Sequence, residues 1–285
     1  MLRSGADAFD RNWFSHHGVI KITAPAADLH YWVFDPPGLA SSRTGASRGY
    51  EGTVMLLSGW GGSALSSQYL FPLAIEMHKA RFKVIMIDLR GQGFSTGDTC
   101  TYGLLDSADF TTVIKELNNR DELRGSIIVA GHSYGAAAAI QIASHNPHVK
   151  AAVSLSGPCE LMSLGPTVRG LVSFSYPKLY WFSRPLLSDW AVRAGILLAS
   201  SRHGVDPEKS SAIAALRSMT SKVLIVHGDN DICVPVEHAK RIFNGRPEGT
   251  KIMLLVGHDH WSYLGSPDVI QSIVSWLPRD STSLR

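Results

Sequence analysis

Cysteine is scarce in this sequence, which has only three, Cys100, Cys159 and Cys233, among 285 residues. They are scattered and odd in number, so they do not form the disulfide framework that stabilises small secreted domains. Disulfides persist in oxidising compartments and are rare in the cytosol. A reducing compartment is therefore the simpler interpretation, and we expect a cytoplasmic protein.

Long apolar runs are also missing. No run approaches the ~18 consecutive apolar residues that indicate a transmembrane helix. Residues 1–7 (MLRSGAD) contain no apolar stretch of the kind found in a secretory signal peptide. We therefore expect neither a transmembrane segment nor a signal peptide.

Charge is low, and several ligand-binding patterns are absent. Charged residues make up 18% of the chain, below the roughly 25% of typical soluble domains, and the net charge is only +3. No basic run interleaves with aromatic residues, so nucleic-acid binding has no support. No H-E-x-x-H motif or Cys/His cluster indicates a metal, and no G-x-G-x-x-G runs into a helix. We expect neither a metal nor a cofactor.

Short apolar runs rich in valine and isoleucine recur along the chain. Six of them alternate with helical stretches such as 108–118 and 236–243. They cover residues 54–57, 84–88, 127–130, 151–155, 223–226 and 252–256. Two earlier runs, 19–23 and 30–34, have no helix between them and predict an antiparallel hairpin. This alternation predicts an α/β fold with an eight-stranded, mostly parallel sheet flanked by helices.

The interval between the sixth and seventh strands is too long for a simple crossover. It contains Phe174, Tyr176, Tyr180, Trp181, Phe182 and Trp190. Ser188 and Asp206 each predict a helix start within it. We interpret residues 157–219 as a helical lid over the carboxyl edge of the sheet, where such sheets bind ligands, and 1–156 with 220–285 as the core. Two alternatives stay open: the aromatic residues pack a larger core, or they contact a membrane surface or a partner.

A five-residue motif, Gly131-His132-Ser133-Tyr134-Gly135, lies between an apolar strand-like run and an alanine-rich helical run. A strand, a G-x-S-x-G turn and a helix form the context in which this motif presents a nucleophilic serine. The turn is tight, so small residues are needed on both sides and the serine is expected to have a strained backbone. We predict that Ser133 is a nucleophile; the alternative is an ordinary β-to-α turn.

A serine hydroxyl needs a general base, and the base needs an orienting carboxylate. The seventh strand is followed by Asp229 and Asp231, and the eighth by His258 and His260. Glu160, after the sixth strand, is a further candidate for the acid. The residues alone leave these choices open.

Four motifs, each after a strand, together resemble the α/β-hydrolase superfamily, in particular its lidded serine esterases and lipases. They are S-G-W-G-G at 58–62, D-L-R-G-Q-G-F-S at 88–95, G-H-S-Y-G at 131–135, and H-G-D-N-D-I-C-V-P at 227–235 with G-H-D-H at 257–260. The resemblance covers most of the chain, from residue 52 to residue 277. It implies an α/β-hydrolase fold with a lid inserted after the sixth strand.

The resemblance also implies roles for individual residues. Ser133 matches the nucleophile, and Asp231 matches the acid through the H-G-x-x-D-x-x-V-P pattern. His260 matches the base through its G-x-x-H spacing. The backbone N–H groups of Trp60 and Tyr134 match the two donors of the oxyanion hole.

Alternatives accompany these roles. His258 is the rival base, and Asp229 is the rival acid, although we expect it to bind backbone groups in its loop. Ser58-Gly59 stands where many relatives carry His-Gly. The side chain of Trp60 either walls an acyl pocket or packs into the core.

The turn at 88–95 has a structural interpretation. We expect Asp88 and Arg90 to brace neighbouring loops and to take no direct part in chemistry.

The chemistry that the resemblance implies is serine hydrolysis. His260 takes the proton from Ser133, which attacks a carbonyl carbon, and water then releases the acyl-enzyme. The predicted substrate is a carboxylic ester or thioester with an apolar acyl group, because the proposed lid is aromatic. C–C hydrolase, perhydrolase and acyltransferase reactions on the same triad, and a non-catalytic small-molecule binding protein, are the alternatives. Association into a homodimer stays open.

Overall fold

The computed structural model describes residues 13–36, 49–97, 101–246 and 248–279. Cys100 lies outside these ranges, whereas Cys159 and Cys233 are buried free thiols. Within the same ranges, no helix combines the length and apolar character needed to cross a bilayer.

The strands form one eight-stranded sheet. They are β1 (Phe14–Thr23), β2 (Ala26–Phe34), β3 (Gly52–Leu57), β4 (Phe82–Ile87), β5 (Ile127–His132), β6 (Val149–Leu155), β7 (Lys222–Gly228) and β8 (Thr250–Leu255). Their order across the sheet is β1-β2-β4-β3-β5-β6-β7-β8. β2 pairs antiparallel with both β1 and β4, and all the other pairs are parallel. The predicted mostly parallel sheet and N-terminal hairpin are confirmed.

Helices cover both faces of this sheet. In the described ranges they are α1 (Phe71–Lys79), α2 (Leu104–Asn119), α3 (Tyr134–His145), α4 (Gly165–Ser175), α5 (Pro177–Ser183), α6 (Asp189–His203), α7 (Ala212–Leu216), α8 (Glu237–Gly245) and α9 (Pro267–Trp276). α1 and α9 pack on one face, against alternate strand residues such as Val54 and Leu56. α2, α3, α7 and α8 pack on the other face, against residues such as Met55 and Leu57. Since both faces are covered, β3 is buried along its whole length.

The segment between β6 and β7 leaves the core and returns to it at one place, where its two ends pair with each other. Glu160 and Ser211 form an isolated antiparallel bridge there. Beside it, the N–H of Ala212 donates to the carbonyl oxygen of Cys159 at 2.8 Å. α4, α5 and α6 lie in the segment beyond this bridge, whereas α7 packs with α3 and α8. The division at residues 157 and 219, and the role of this segment as a lid, stay predictions.

The two predicted helix starts in this segment both carry a cap. The side chain of Ser188 accepts a hydrogen bond from the N–H of Ala191 at 3.3 Å, and α6 follows as expected. The side chain of Asp206 accepts from the N–H of Glu208 at 3.1 Å. A single 3-10 turn follows Asp206, so the predicted cap is confirmed but an α-helix does not start there.

Asp88 and Arg90 brace loops, as predicted. The Asp88 carboxylate accepts hydrogen bonds from the N–H groups of Ala64 (2.6 Å) and Phe94 (2.8 Å), and so joins the loops after β3 and β4. Arg90 donates to both carboxylate oxygens of Asp109 on α2, at 2.8 and 2.7 Å, and to backbone carbonyls of the β1–β2 turn. Both members of this ion pair are buried, so the pair fixes α2 against the hairpin.

Candidate active site

Ser133 occupies the turn between β5 and α3, near the middle of the sheet. Its backbone has φ 54° and ψ −114°, a conformation that residues other than glycine rarely adopt. Such strain persists only where the surrounding structure enforces it, and it concentrates at functional sites. Its N–H donates to the carbonyl oxygen of Leu155 on β6 at 2.8 Å. The predicted strained turn is confirmed, and its serine side chain is half-buried.

Close packing requires the two glycines of this turn. A methyl group at Gly131 would collide with the carbonyl oxygen of Gly135. A methyl group at Gly135 would lie 2.6 Å from the carbonyl oxygen of Ser58. The strand, the helix and the loop after β3 therefore approach one another only because both positions lack a Cβ atom.

Asp231 and His260 meet, although they follow different strands. Nδ1 of His260 and Oδ2 of Asp231 are 2.6 Å apart, and both side chains are buried. Because a carboxylate only accepts, Nδ1 carries the proton and Nε2 keeps a lone pair. A histidine in this tautomer can act as a general base.

Four nitrogen atoms lie close to the carboxylate of Asp231. Oδ1 accepts from the N–H groups of Cys233 (2.9 Å) and Val234 (2.7 Å), and Oδ2 lies 3.4 Å from Nε2 of His227 as well as next to His260. Burial by itself would raise the pKa of this carboxyl, but the interactions with His227 and His260 outweigh burial and hold the pKa well below its usual range. Asp231 is therefore ionised and held in one orientation.

His132, the residue before Ser133, connects the turn to His260. Its Nε2 donates to the carbonyl oxygen of His260 at 2.9 Å, and the two ring centroids are 4.6 Å apart. Burial, together with the nearby His260, lowers the pKa of His132 to about 3, so its ring is neutral at pH 7. In the described part of the chain, Ser133 and His260 share no hydrogen bond, and His132 links them.

The loop after β3 borders Ser133. A Cβ atom placed on Gly59 would lie 3.3 Å from Cβ of Ser133 and 3.5 Å from the hydroxyl of Tyr69. The N–H of Gly59 donates to that hydroxyl at 3.2 Å. Trp60 follows with a side chain that is 66% exposed, so the alternative that it packs into the core is wrong. The backbone N–H groups of Trp60 and Tyr134 thus belong to the two segments that border Ser133.

The side chain of Tyr134 anchors the start of α3. Its hydroxyl donates to Asp106 at 2.9 Å and accepts from the N–H groups of Thr101 (3.1 Å) and Tyr102 (3.2 Å). Burial raises the pKa of Asp106 to about 6, although the hydrogen bond from Tyr134 opposes this change. The residue after the serine is therefore tied to the start of α2.

The rival acids and base have other partners. Asp229 accepts a hydrogen bond from the N–H of Gly257 at 2.7 Å, as expected for a loop-stabilising residue. His258 is exposed. Glu160 forms an ion pair with Arg241 at 2.5 Å. None of the three joins the carboxylate–imidazole pair described above.

Three groups at this site were not predicted from the sequence. His132 and His227 lie inside the motifs that contain Ser133 and Asp231, so these motifs could have indicated that they are close. Tyr69 lies in the turn before α1, and no pattern in the sequence marks it. Among the described residues, no cluster of histidine, cysteine, aspartate or glutamate is arranged to hold a metal ion.

A family model described as the alpha/beta hydrolase family matches residues 54–270. The chain belongs to the alpha/beta hydrolase family. The match begins in β3 and ends in α9, so it spans the elements that carry Ser133, Asp231 and His260. The membership that the sequence motifs indicated is confirmed.

Two proteins are similar to this alpha/beta hydrolase at low sequence identity. It is 23% identical over 203 residues to the uncharacterized protein YqkD of Bacillus subtilis (strain 168), an alignment that covers 71% of this chain and 62% of YqkD. It is similar in structure to the Pyrococcus furiosus esterase Pf2001, with a TM-score of 0.67, 20% identity and coverage of 92% and 91% of the two chains.

A second similar structure comes from work on carboxylesterases of the thaumarchaeon Nitrososphaera gargenis. Its TM-score is 0.59 at 18% identity, and the match covers 90% of this chain and 96% of the other. At such identities the two structural likenesses show the shared fold.

Proposed function

We propose that this alpha/beta hydrolase is a serine hydrolase that cleaves carboxylic esters or thioesters through an acyl-enzyme intermediate. The observation that carries the proposal is the 2.6 Å hydrogen bond between His260 and Asp231, at the same edge of the sheet as the strained turn of Ser133. In this proposal Ser133 is the nucleophile, His260 the general base and Asp231 the orienting acid. The esterases and carboxylesterases among the similar structures add support.

The proposed reaction begins when Nε2 of His260 accepts the proton of Ser133 and Oγ attacks the carbonyl carbon. The N–H groups of Trp60 and Tyr134 stabilise the oxyanion. The intermediate collapses, and the leaving alcohol or thiol takes the proton from His260. His260 then deprotonates a water molecule that attacks the acyl carbon, and it returns this proton to Oγ of Ser133 as the acid leaves. The hydrogen bond between Ser133 and His260 is expected to form when substrate binds, since such bonds are often long in unliganded enzymes.

Aromatic rings beside His260 support an apolar acyl group. The ring of Trp261 contacts that of His260, with centroids 4.7 Å apart. Phe174, at the end of α4, lies over Trp261 with centroids 4.9 Å apart. In this proposal the acyl chain of a substrate bound at Ser133 lies against these rings, which would stabilise it.

The experiment is active-site labelling with a fluorophosphonate, combined with a panel of p-nitrophenyl esters and acyl thioesters. Ser133→Ala and His260→Ala are expected to abolish turnover, by about four to six orders of magnitude in kcat. Ser201→Ala removes an exposed hydroxyl on α6 and should leave both readouts unchanged. If the wild-type protein is neither labelled nor active on any ester or thioester, a non-catalytic binding protein is the better interpretation.

The same panel examines the acyl preference. We expect hexanoate to be cleaved with a higher kcat/KM than acetate. A clear preference for acetate would contradict an apolar acyl pocket without affecting the roles of Ser133 and His260.

A further inference from the structure

The outer part of the segment between β6 and β7 exposes large apolar side chains. We define the cap face as the more than half-exposed apolar residues of α4, α5, α6 and their connections. They are Phe174, Tyr176, Leu179, Trp181, Leu186, Trp190, Leu197 and Leu198. The two tryptophans, Trp181 and Trp190, are 71% and 79% exposed. The alternative that these aromatic residues pack a larger core is therefore wrong for both tryptophans.

Such exposure is unusual for helices that only cover a core. α9 buries Val269, Ile270, Ile273 and Val274 on one side, as a helix packed on a sheet should. α6 is longer, yet Ser200 is its only buried residue. The eight exposed side chains of the cap face lie on α4, α5, α6 and their connections, and α4 packs against both α5 and α6. Large exposed apolar side chains that cluster on neighbouring helices mark surfaces that bind another molecule or a membrane.

The same part of the chain concentrates positive charge. Residues 166–204 contain five lysine or arginine residues and one aspartate, a net charge of +4, while the whole chain carries only +3. Arg169 pairs with that aspartate, Asp189, at 2.5 Å. The other four are Lys178, Arg184, Arg193 and Arg202, which are exposed and form no ion pair within the described ranges.

We propose that the cap face docks on an anionic lipid bilayer. Tryptophan and tyrosine rings favour the boundary between headgroups and acyl chains. Lysine and arginine side chains around them are attracted to negatively charged headgroups. A second copy of this chain fits less well, because two surfaces of charge +4 would repel each other.

Docking would bring the candidate active site close to the lipid. Phe174 belongs to the cap face and also contacts Trp261, the neighbour of His260. α4 also packs tightly against the loop of Asp231, since a methyl group at Gly170 would collide with the carbonyl oxygen of Ile232. The proposal concerns where the protein binds and does not depend on the proposed chemistry.

The experiment is co-sedimentation of the full chain with vesicles of phosphatidylcholine alone or of equal parts phosphatidylcholine and phosphatidylglycerol. We expect binding to the anionic vesicles at low salt and its loss at about 1 M salt, where charges are screened beyond about 3 Å. Trp181→Ala combined with Trp190→Ala should weaken binding at least tenfold. Ser133→Ala should bind like the wild type, so failure of docking and failure of the proposed chemistry are distinguishable.

A matched pair of charge variants makes the result specific. Lys178→Glu with Arg184→Glu removes two positive charges. Each loss should weaken binding by about fivefold or more, so the double variant should bind at least about 25-fold more weakly. Lys115→Glu with Lys150→Glu makes the same change at exposed sites on α2 and β6, outside the cap face, and should weaken it much less. Equal losses in the two pairs, or no binding of the wild type, would overturn the proposal. A dimer in solution that the tryptophan variant converts to a monomer would also overturn it, because the cap face would then be a self-interface.

Discussion

Apolar side chains are buried in the sheet, whereas many of them are exposed on α4, α5 and α6, which we call the cap. Every residue of β3 and of β5 is buried, and alternate residues pack against helices on both faces. α6 buries one residue, and α5 presents Leu179 and Trp181 outward. Burial of apolar surface is the main favourable contribution to folding. We therefore infer that the sheet contributes most of the stability of this chain and that α5 and α6 contribute little to it.

Ion pairs also differ in burial between the two regions. Arg90 and Asp109 bind through two hydrogen bonds in the interior. Arg169 and Asp189 pair at the surface of the cap, where the aspartate is 64% exposed. Removing one partner of a buried pair leaves a charge without a counterion or water, whereas an exposed charge is simply rehydrated.

The largest expected effect is at the tightest point of the sheet region. Gly131→Ala should prevent folding or lower the free energy of unfolding by more than about 3 kcal/mol, because the new methyl group meets backbone that cannot move aside. Urea unfolding followed by circular dichroism measures this. An unchanged midpoint would show that the turn is looser than described.

The two ion pairs give the next comparison. Asp109→Asn should lower the free energy of unfolding by about 3–5 kcal/mol, since it leaves the Arg90 guanidinium buried without its counterion. Asp189→Asn should lower it by about 1 kcal/mol or less. Equal losses in urea unfolding would contradict the contrast between the two regions.

A smaller effect concerns pH and His132. Below about pH 6.5 the unfolded chain protonates this histidine, while the folded chain keeps it neutral down to about pH 3. Its contribution to stability is therefore lost as pH falls through this window, by at most about 1.4 kcal/mol per pH unit. His132→Gln should make the free energy of unfolding fall less steeply between about pH 6.5 and about pH 4. Identical slopes for the variant and the wild type would contradict a neutral buried ring.

The smallest effect is expected in the cap and has the opposite sign to that of Gly131→Ala. Gly195 lies inside α6, and no atom comes within 4 Å of a Cβ placed on it. Gly195→Ala should raise the free energy of unfolding by about 0.5–1 kcal/mol, because alanine favours the helix and loses less backbone entropy. A destabilised variant would mean that α6 is packed more closely than described.

Much of the sheet could be predicted, because strands covered on both faces appear as short apolar runs between helical stretches. The ends were less predictable. β1 begins at Phe14, well before the predicted residue 19, since Phe14, His16 and His17 pair with β2 and the register shifts at Ser15. Backbone pairing needs no apolar side chain, so the pattern gave no sign of this extension.

The candidate site also has features that the sequence predicted and features that it did not. Motifs placed Ser133, Asp231 and His260 on loops after β5, β7 and β8. The contact of His132 with His260 could not be derived, because it depends on how the loop after β8 folds back toward β5. The exposure of Trp60 could not be predicted either, since an aromatic residue in a glycine-rich loop can line a pocket or pack into the core.

The bridge between Glu160 and Ser211 has a consequence for how such a protein can change over generations. The chain leaves at Cys159 and Glu160 and returns at Ser211 and Ala212, which pair with each other, so the two ends of the segment between them are held together. Deletion, lengthening or exchange of that piece would leave the pairing of β6 with β7 intact. A protein with this bridge could therefore exchange the segment between Glu160 and Ser211 in a single recombination event, and so gain a new surface, while its sheet stays the same.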